Sequence, residues 1–329
     1  MTHSRRALPR GGGGGHCVGV DAGGTSTRAI ALDASGAVLG SGRAGGANPN
    51  SHAPAEAAAR IASAITGALG GLDPAATAAC VVGMAGVSKL SDPAIAKIFE
   101  AAWKNAGISP VRTVPDSEVA YASATSAPDG SVLVAGTGSI AGRVRGRRMV
   151  STVDGYGWLL GDEGSAFWLG REAVRSTLDT LGLGGELGPL TRAVLAEALG
   201  PSAVDPASDR SALWRALITN ANAEAPIRLA RFAPLVSEAD RDGDPAADDI
   251  TTRAAALLVT KVMAAREPGE NTPIVLVGSV LSPDGPVGAK VRAELAGFEV
   301  LTSTDGVLGA AWLAAVDAYG EGAPRPSHP

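Results

Sequence analysis

The chain has 329 residues, 45% of them apolar, so it is long enough for two domains of about 150 residues, each with its own core. Its 28 basic and 33 acidic residues leave a net charge of −5, which argues against a large basic surface and against nucleic acid as a partner. The four His and two Cys are scattered, which argues against a His-rich zinc site, a thioredoxin motif or a Ser-His-Asp triad.

Composition also bears on location. The sequence contains no apolar run long enough to cross a bilayer, so no membrane partner is expected. Two isolated Cys suggest a reducing compartment, and we expect a cytoplasmic protein.

The first half of the chain predicts an α/β domain. Residues 1–15 end in five consecutive glycines and read as a flexible tail. Beyond the tail, alternating apolar runs and turn residues predict strands at 17–20, 27–32, 37–42, 79–82 and 111–114, with helices over 54–69 and 92–107. The order is therefore β-β-β-α-β-α-β.

The second half begins with the same pattern. Strands are predicted at 131–135, 140–144, 148–153 and 274–277, and helices over 162–181, 188–199, 209–222, 245–265, 288–296 and 306–319. The repeated strand–turn–strand–turn–strand order indicates an internal duplication. We expect domains at 16–128 and 129–329, a helical insertion around 184–249, and a closing helix 306–319 that could pack back on the first domain.

Two glycine-rich turns carry the strongest functional signal. Asp21-Ala22-Gly23-Gly24-Thr25 and Gly136-Thr137-Gly138-Ser139 each lie between two predicted strands. Glycines let backbone N–H groups approach an anion, although either turn alone is also typical of a plain hairpin. Because the two turns occupy matching places in the two halves, we expect them to hold one polyphosphate. Asp21 could hold a hydrated Mg²⁺.

Acidic residues supply the remaining candidates. Asp116 follows a predicted strand, where a carboxylate faces the ligand crevice of an α/β sheet, although a helix N-cap is the alternative. In Gly155-Tyr156-Gly157-Trp158-Leu159-Leu160-Gly161-Asp162-Glu163-Gly164-Ser165, two carboxylates are expected at a helix start. Gly278-Ser279 ends a buried strand and suits close approach of a base or ribose.

These segments, in this order, resemble the N-acetylglucosamine kinase family of the actin-like ATPase and sugar kinase superfamily, from residue 17 to 319. The resemblance implies two ribonuclease H-like α/β domains around a central cleft, with ATP and Mg²⁺ as cofactors. It also implies roles for particular residues: Asp116 as catalytic base; Asn48, Tyr156, Asp162 and Glu163 at the sugar; Gly23, Gly24, Thr25, Gly136, Thr137, Gly138, Ser139, Gly278 and Ser279 at the nucleotide; and Asp21 at Mg²⁺ through water.

The resemblance predicts phosphorylation of a small-molecule amino-sugar at its 6-hydroxyl. We expect glucosamine slightly ahead of N-acetylglucosamine, because Asp162 and Glu163 would favour a free ammonium. The alternative is an activator ATPase for a radical dehydratase or reductase, a class that resembles these kinases but bridges an iron–sulfur cluster with cysteines of two subunits. A filament-forming actin-like protein would not need the sugar-side carboxylates. A homodimer is an assembly that the sequence leaves open.

Overall fold

The computed structural model describes residues 15–205, 207–303 and 305–326, and these form two compact units. Unit 1 comprises 15–123 together with 305–326, and unit 2 comprises 124–303. The predicted tail, apart from residue 15, lies outside the described residues. No helix in the described ranges is long and apolar enough to cross a membrane.

Unit 1 is built on a mixed five-stranded sheet. Its elements are β1 (His16–Ala22), β2 (Ser26–Leu32), β3 (Val38–Gly45), α1 (Pro54–Leu69), β4 (Thr77–Met84), α2 (Pro93–Asn105), β5 (Val111–Pro115) and α3 (Asp116–Ala124). The strand order is β3-β2-β1-β4-β5, with β1, β4 and β5 parallel and β2 antiparallel to both of its neighbours. The carboxyl ends of the three parallel strands therefore lie at one edge of the sheet.

The last helix, α10 (Gly306–Tyr319), belongs to unit 1. It packs on β1 so closely that a Cβ on Gly19 would lie 2.0 Å from the backbone nitrogen of Ala311. The close approach of α10 therefore requires glycine at position 19. On the other face of the sheet lies α1, which packs through its apolar stripe of Ile61, Ile65 and Leu69. The chain thus returns to its first unit at its C-terminal end.

Unit 2 repeats the same sheet. Its strands are β6 (Gly130–Ala135), β7 (Ser139–Arg145), β8 (Arg148–Asp154), β9 (Ile274–Val277) and β10 (Val300–Thr302), in the order β10-β9-β6-β7-β8. The first three strands are antiparallel neighbours, and β9 is parallel to β6 and β10, as in unit 1. The duplication predicted from the repeated pattern is confirmed by this matching topology.

The helices of unit 2 are α4 (Ala166–Leu183), α5 (Pro189–Leu199), α6 (Arg210–Ala223), α7 (Ala233–Arg241), α8 (Pro245–Ala264) and α9 (Pro286–Glu294). The prediction that a helix starts at Asp162 was wrong: α4 begins at Ala166, and Ser165 is its N-cap, with its side chain accepting from the Trp168 N–H. The expected carboxylates therefore lie in the turn before the helix. The short strand β10 was not predicted.

Candidate functional site

In unit 1, the Asp21 turn and Asp116 lie at the carboxyl edge of the sheet. Asp21 is in β1 beside Gly83 of β4, and Gly83 pairs with Val114, two residues before Asp116. The parallel register, which the chain builds from residues far apart in sequence, therefore brings the Asp21 turn and Asp116 to the same edge.

Asp21 is a partly buried carboxylate with a cationic partner. Its Oδ2 accepts a hydrogen bond from Arg28 Nη2 at 2.9 Å, and Arg28 also contacts Oδ1 of Asp305, the N-cap of α10, at 3.0 Å. Burial raises the pKa of Asp21 and the charge of Asp305 adds to the rise, whereas Arg28 opposes it. Arg28 and Asp305 were not predicted, because Asp305 joins this site only through the return of the chain.

The β1–β2 turn carries its exposed tip at Gly24 and Thr25. Gly23 N–H donates to Ser26 O at 3.0 Å, which closes the hairpin, and Gly23 O accepts from Ala47 N at 2.9 Å. A Cβ added to Gly24 would meet no atom within 4 Å, and its φ is not positive. The packing of the protein therefore does not require glycine at the tip.

The loop after β3 carries Asn48. Its Oδ1 accepts from the Asn50 N–H at 2.8 Å, so the carboxamide nitrogen is the group that could meet a ligand. A Cβ on Gly86, which has φ +75°, would lie 2.9 Å from the same oxygen, so the loop packs directly against the chain that leaves β4. Asn48 is thus held at the edge of the sheet that carries Asp21.

Asp116 follows β5 and begins α3. Its Oδ1 accepts from the N–H of the next residue, Ser117, at 2.9 Å, whereas a helix N-cap accepts from the N–H two or three residues on. The residue is exposed to solvent, yet the surrounding protein removes enough water for desolvation to raise its pKa, and the charge of Asp21 raises it further. A carboxylate with a raised pKa beside a second carboxylate is suited to accepting a proton.

In unit 2, the β6–β7 turn is bonded to the first residues of α4. Gly136 O accepts from Ala166 N at 2.9 Å, and Thr137 O accepts from Phe167 N at 3.2 Å. Thr137 is exposed, and a Cβ on Gly136 would meet nothing within 4 Å. The turn therefore presents its tip to solvent while its carbonyl groups anchor it to the start of the helix.

Two predicted ligand residues, Asp162 and Ser139, form hydrogen bonds that hold this turn in place. Asp162 is 8% exposed, and its Oδ1 accepts from the Ser139 N–H at 2.9 Å. The Ser139 hydroxyl donates to Glu163 O at 2.8 Å. A Cβ on Gly138 would lie 2.7 Å from the Asp162 carboxylate, so glycine is required there by Asp162. Ser139 therefore uses both its N–H and its O–H within the protein.

Two further residues of this network were not predicted. Asp154 Oδ1 accepts from the Asp162 N–H at 3.2 Å, and its carboxylate is paired with Lys261 of α8. Burial alone would raise the pKa of Asp154, but the hydrogen bond and charge of Lys261 outweigh it and the pKa is lowered. A signal did exist, because Lys261 occupies the same apolar helix stripe as Ala254 and Leu258.

The remaining predicted residues lie on the surface of unit 2. Tyr156 is 68% exposed in the turn before Asp162, and Glu163 is exposed beside it. Gly278 and Ser279 are exposed after β9, and a Cβ on Gly278 would lie 2.3 Å from Ala135 O, so this glycine is required by its approach to β6. The predicted residues of unit 2 thus gather around the ends of β6 and β9.

The described residues hold no group of three side chains that could cage a metal ion. Mg²⁺ does not need such a cage, because it keeps several waters and binds through one or two carboxylates and substrate phosphates. Asp21 fits this mode, since its side chain is partly exposed and its pKa is raised by desolvation, which a cation would offset.

A separate cavity of about 510 Å³ between α4 and α8 is lined by charged side chains, none of them a predicted site residue.

Two duplicated units with this strand order, each with a glycine-rich turn after its first strand, define a protein of the actin-like ATPase and sugar kinase fold. The chain belongs to the BadF/BadG/BcrA/BcrD ATPase family, which it matches over residues 18–314.

Solved structures share this fold. A putative N-acetylglucosamine kinase from Chromobacterium violaceum is similar, with a TM-score of 0.70 and 26% identity over 91% of this chain and 98% of that one. A ROK family glucokinase from Streptomyces griseus, at 21% identity and a TM-score of 0.52, covers 91% of this chain and 99% of its own and shares the fold.

Among curated proteins, an N-acetylmuramic acid/N-acetylglucosamine kinase from Clostridium acetobutylicum is 29% identical over 175 residues, or 52% of this chain. The match spans 56% of that relative, so the chain aligns with about half of its length.

Proposed function

We propose that the protein is an ATP-dependent amino-sugar kinase that phosphorylates N-acetylglucosamine or glucosamine at the 6-hydroxyl. The observation that carries the proposal is the carboxyl edge of the unit 1 sheet, where Asp116, with its raised pKa, shares an edge with the Asp21 turn and the Asn48 loop. The names of the similar proteins from Chromobacterium and Clostridium support the same class of substrate.

The two turns support nucleotide binding. Gly24 and Gly136 are glycines that neither a positive φ nor internal packing requires, and each lies at or beside an exposed turn tip. If backbone N–H groups must come close to phosphate oxygens, the absence of a side chain explains why both positions are glycine. In this proposal Gly23 and Thr25 assist the first turn, Thr137 and Gly138 assist the second, and Gly278 and Ser279 lie near the adenosine.

In the proposed reaction, Asp116 accepts the proton of the 6-hydroxyl as the sugar oxygen forms its bond to the γ-phosphorus and the bond to the ADP oxygen breaks. General-base assistance of this kind contributes roughly 10²- to 10⁴-fold. Mg²⁺, when bound through water at Asp21, would neutralise charge on the phosphates. Asn48 would donate its amide N–H to a sugar hydroxyl and so orient the acceptor.

The surroundings of Asp162 bear on the choice of sugar. One carboxylate oxygen already accepts from Ser139, and the side chain is buried, so Asp162 offers less to a sugar ammonium than its sequence position suggests. The exposed Tyr156 and Leu159 offer apolar surface on which an acetamido methyl could pack. We therefore expect N-acetylglucosamine to be a better substrate than glucosamine. Of the two acids in this segment, Glu163 is the exposed one.

The alternative, an activator ATPase of a radical enzyme, requires cysteines that can reach a cluster shared between subunits. Both cysteines of the chain, Cys17 and Cys80, are buried in strands of unit 1, and burial raises the pKa of each thiol to about 12. Buried thiols that resist ionisation are poor cluster ligands. Visible absorbance by anaerobically purified protein would favour this alternative.

A coupled assay of ADP release tests the proposal. N-acetylglucosamine, glucosamine, N-acetylmannosamine and glucose are compared at one MgATP concentration, and the phosphorylated position is read by NMR. We expect the largest kcat/KM for N-acetylglucosamine and a 6-phosphate product. Glucose ahead of both amino-sugars would refute the amino-sugar assignment, and ADP release without any dependence on sugar would refute the kinase assignment.

A further inference from the structure

Lys261 is a buried lysine at the centre of the unit 2 network. It is 7% exposed and lies in α8, about 120 residues along the chain from the turn that it contacts. Its ammonium group donates to Ser139 Oγ at 2.5 Å and to Glu163 O at 2.6 Å, and it is paired with the Asp154 carboxylate. A lysine ammonium has three N–H donors, so each can have its own acceptor here.

These contacts connect three segments that are separate in sequence. Ser139 closes the glycine-rich turn, Glu163 lies in the segment before α4, and Asp154 ends β8. Further bonds complete the network, because the Ser139 hydroxyl donates to Glu163 O and the Asp162 N–H donates to Asp154. Lys261 therefore fixes the turn from behind, on the side opposite its exposed tip at Thr137.

The same network holds an unfavourable backbone. Asp154 and Asp162 have φ angles of +67° and +57°, in the left-handed region that residues other than glycine seldom adopt. Such strain persists only where the surrounding structure over-determines it, and it is concentrated at functional sites. The bonds from Lys261 and Ser139 to these segments provide that constraint.

We propose that Lys261 is a positioning residue for nucleotide, which holds the 136–139 turn in the geometry that binds the phosphates of ATP. The inference rests on the proposed function only in taking that turn as the nucleotide contact. Because the charge of Lys261 is paired with Asp154, its effect on ATP acts through the backbone of the turn and not through direct attraction.

The test is the Kd for a non-hydrolysable ATP analogue with Mg²⁺, measured by titration calorimetry at a temperature where circular dichroism shows each variant folded. Lys261→Met should raise this Kd about tenfold or more, since small displacements of a binding group cost up to about 10²-fold. Lys261→Arg, which keeps the charge and donors, should recover part of the loss.

Lys290→Met is the matched control. Lys290 is another well-bonded lysine of unit 2, which contacts Asp240, Asp248 and Thr251 and joins α9 to α7 and α8. Its replacement should lower Tm and leave the Kd unchanged. An unchanged Kd in Lys261→Met, or an equal rise in Lys290→Met, would overturn the inference.

Two further results keep the inference separable from the proposed function. If Lys261→Met does not fold, Ser139→Ala takes its place, because it removes only the hydroxyl that Lys261 contacts. This variant should still raise the Kd about threefold or more, since it weakens the bonds that hold the 136–139 turn. An unchanged Kd would overturn the inference. Wild-type protein that binds the ATP analogue but phosphorylates no amino-sugar would refute the proposed function, while the comparison of Kd values would still test Lys261.

Discussion

Gly136 offers a test that separates nucleotide binding from folding. A Cβ added at this position meets no atom within 4 Å, and the φ of Gly136 is not positive, so Gly136→Ala fits the folded protein. Gly→Ala at such a position stabilises a protein by about 0.4–1 kcal/mol through the unfolded chain, which for a chain of this size raises Tm by about 1–4 °C. The Gly136 N–H already donates to Gly138 O at 2.9 Å, so under the proposed function the added methyl group would act by keeping phosphate away from the other N–H groups of the turn.

We therefore expect Gly136→Ala to raise Tm slightly and to weaken MgATP. A hydrogen bond to a charged group is worth about 1.5–3 kcal/mol, so losing one should raise KM for ATP roughly ten- to a hundred-fold. The assays are thermal unfolding without ligand and coupled ADP release at saturating amino-sugar. An unchanged KM for ATP in a folded variant would show that this turn does not bind phosphate.

Two other glycines serve as controls. Gly297 is also open and has no positive φ, but it precedes β10 and so lies toward the opposite edge of the sheet from Gly136. Gly297→Ala should give a similar change in Tm with no change in KM. Gly138→Ala should lower Tm, because its Cβ would lie 2.7 Å from the Asp162 carboxylate and the bond from Ser139 would be lost.

Asp116→Asn should lower kcat roughly 10²-fold or more and leave Tm nearly unchanged, since the amide oxygen can still accept from Ser117; near wild-type kcat would reduce Asp116 to a helix cap. Asn48→Ala should raise KM for the sugar more than KM for ATP, and the reverse order would remove Asn48 from the sugar site. Burial acts to raise the pKa of Glu270, but hydrogen bonds from Arg145 and Thr272 outweigh it and lower the pKa from 4.5 to about 2. Because the pKa of Glu270 is lower in the folded protein, its ionised form stabilises the fold at pH values above the pKa that it has in the unfolded chain. Glu270→Gln should therefore lower the free energy of unfolding by up to about 3 kcal/mol at pH 7, and the difference between variant and wild type in urea unfolding should vanish as pH falls from about 5 to 2. A difference that persists at about pH 2 would refute the ion-pair account.

The sequence by itself determined the local elements and the residues that stand at their ends. Apolar runs separated by glycine turns were enough to predict both hairpins, and the position of Asp116 after a strand identified it as a site candidate. These features depend on neighbours within a few residues, so periodicity and turn chemistry express them directly. The start of α4 was misplaced by four residues, because the Asp162 segment reads as a helix start yet folds as a turn held by long-range bonds.

Only the tertiary structure decided which distant residues meet. Asp305 joins Arg28 and Asp21 because α10 returns to unit 1, and Lys261 reaches Ser139 because α8 packs beneath the β6–β7 turn. A buried ammonium is tolerated there because carboxylate, hydroxyl and carbonyl oxygens surround it, and that environment exists only after the chain has folded. For the same reason the inward bonds of Ser139 and Asp162 could not be seen in the motif, which specifies the residue types but not the direction in which each side chain points.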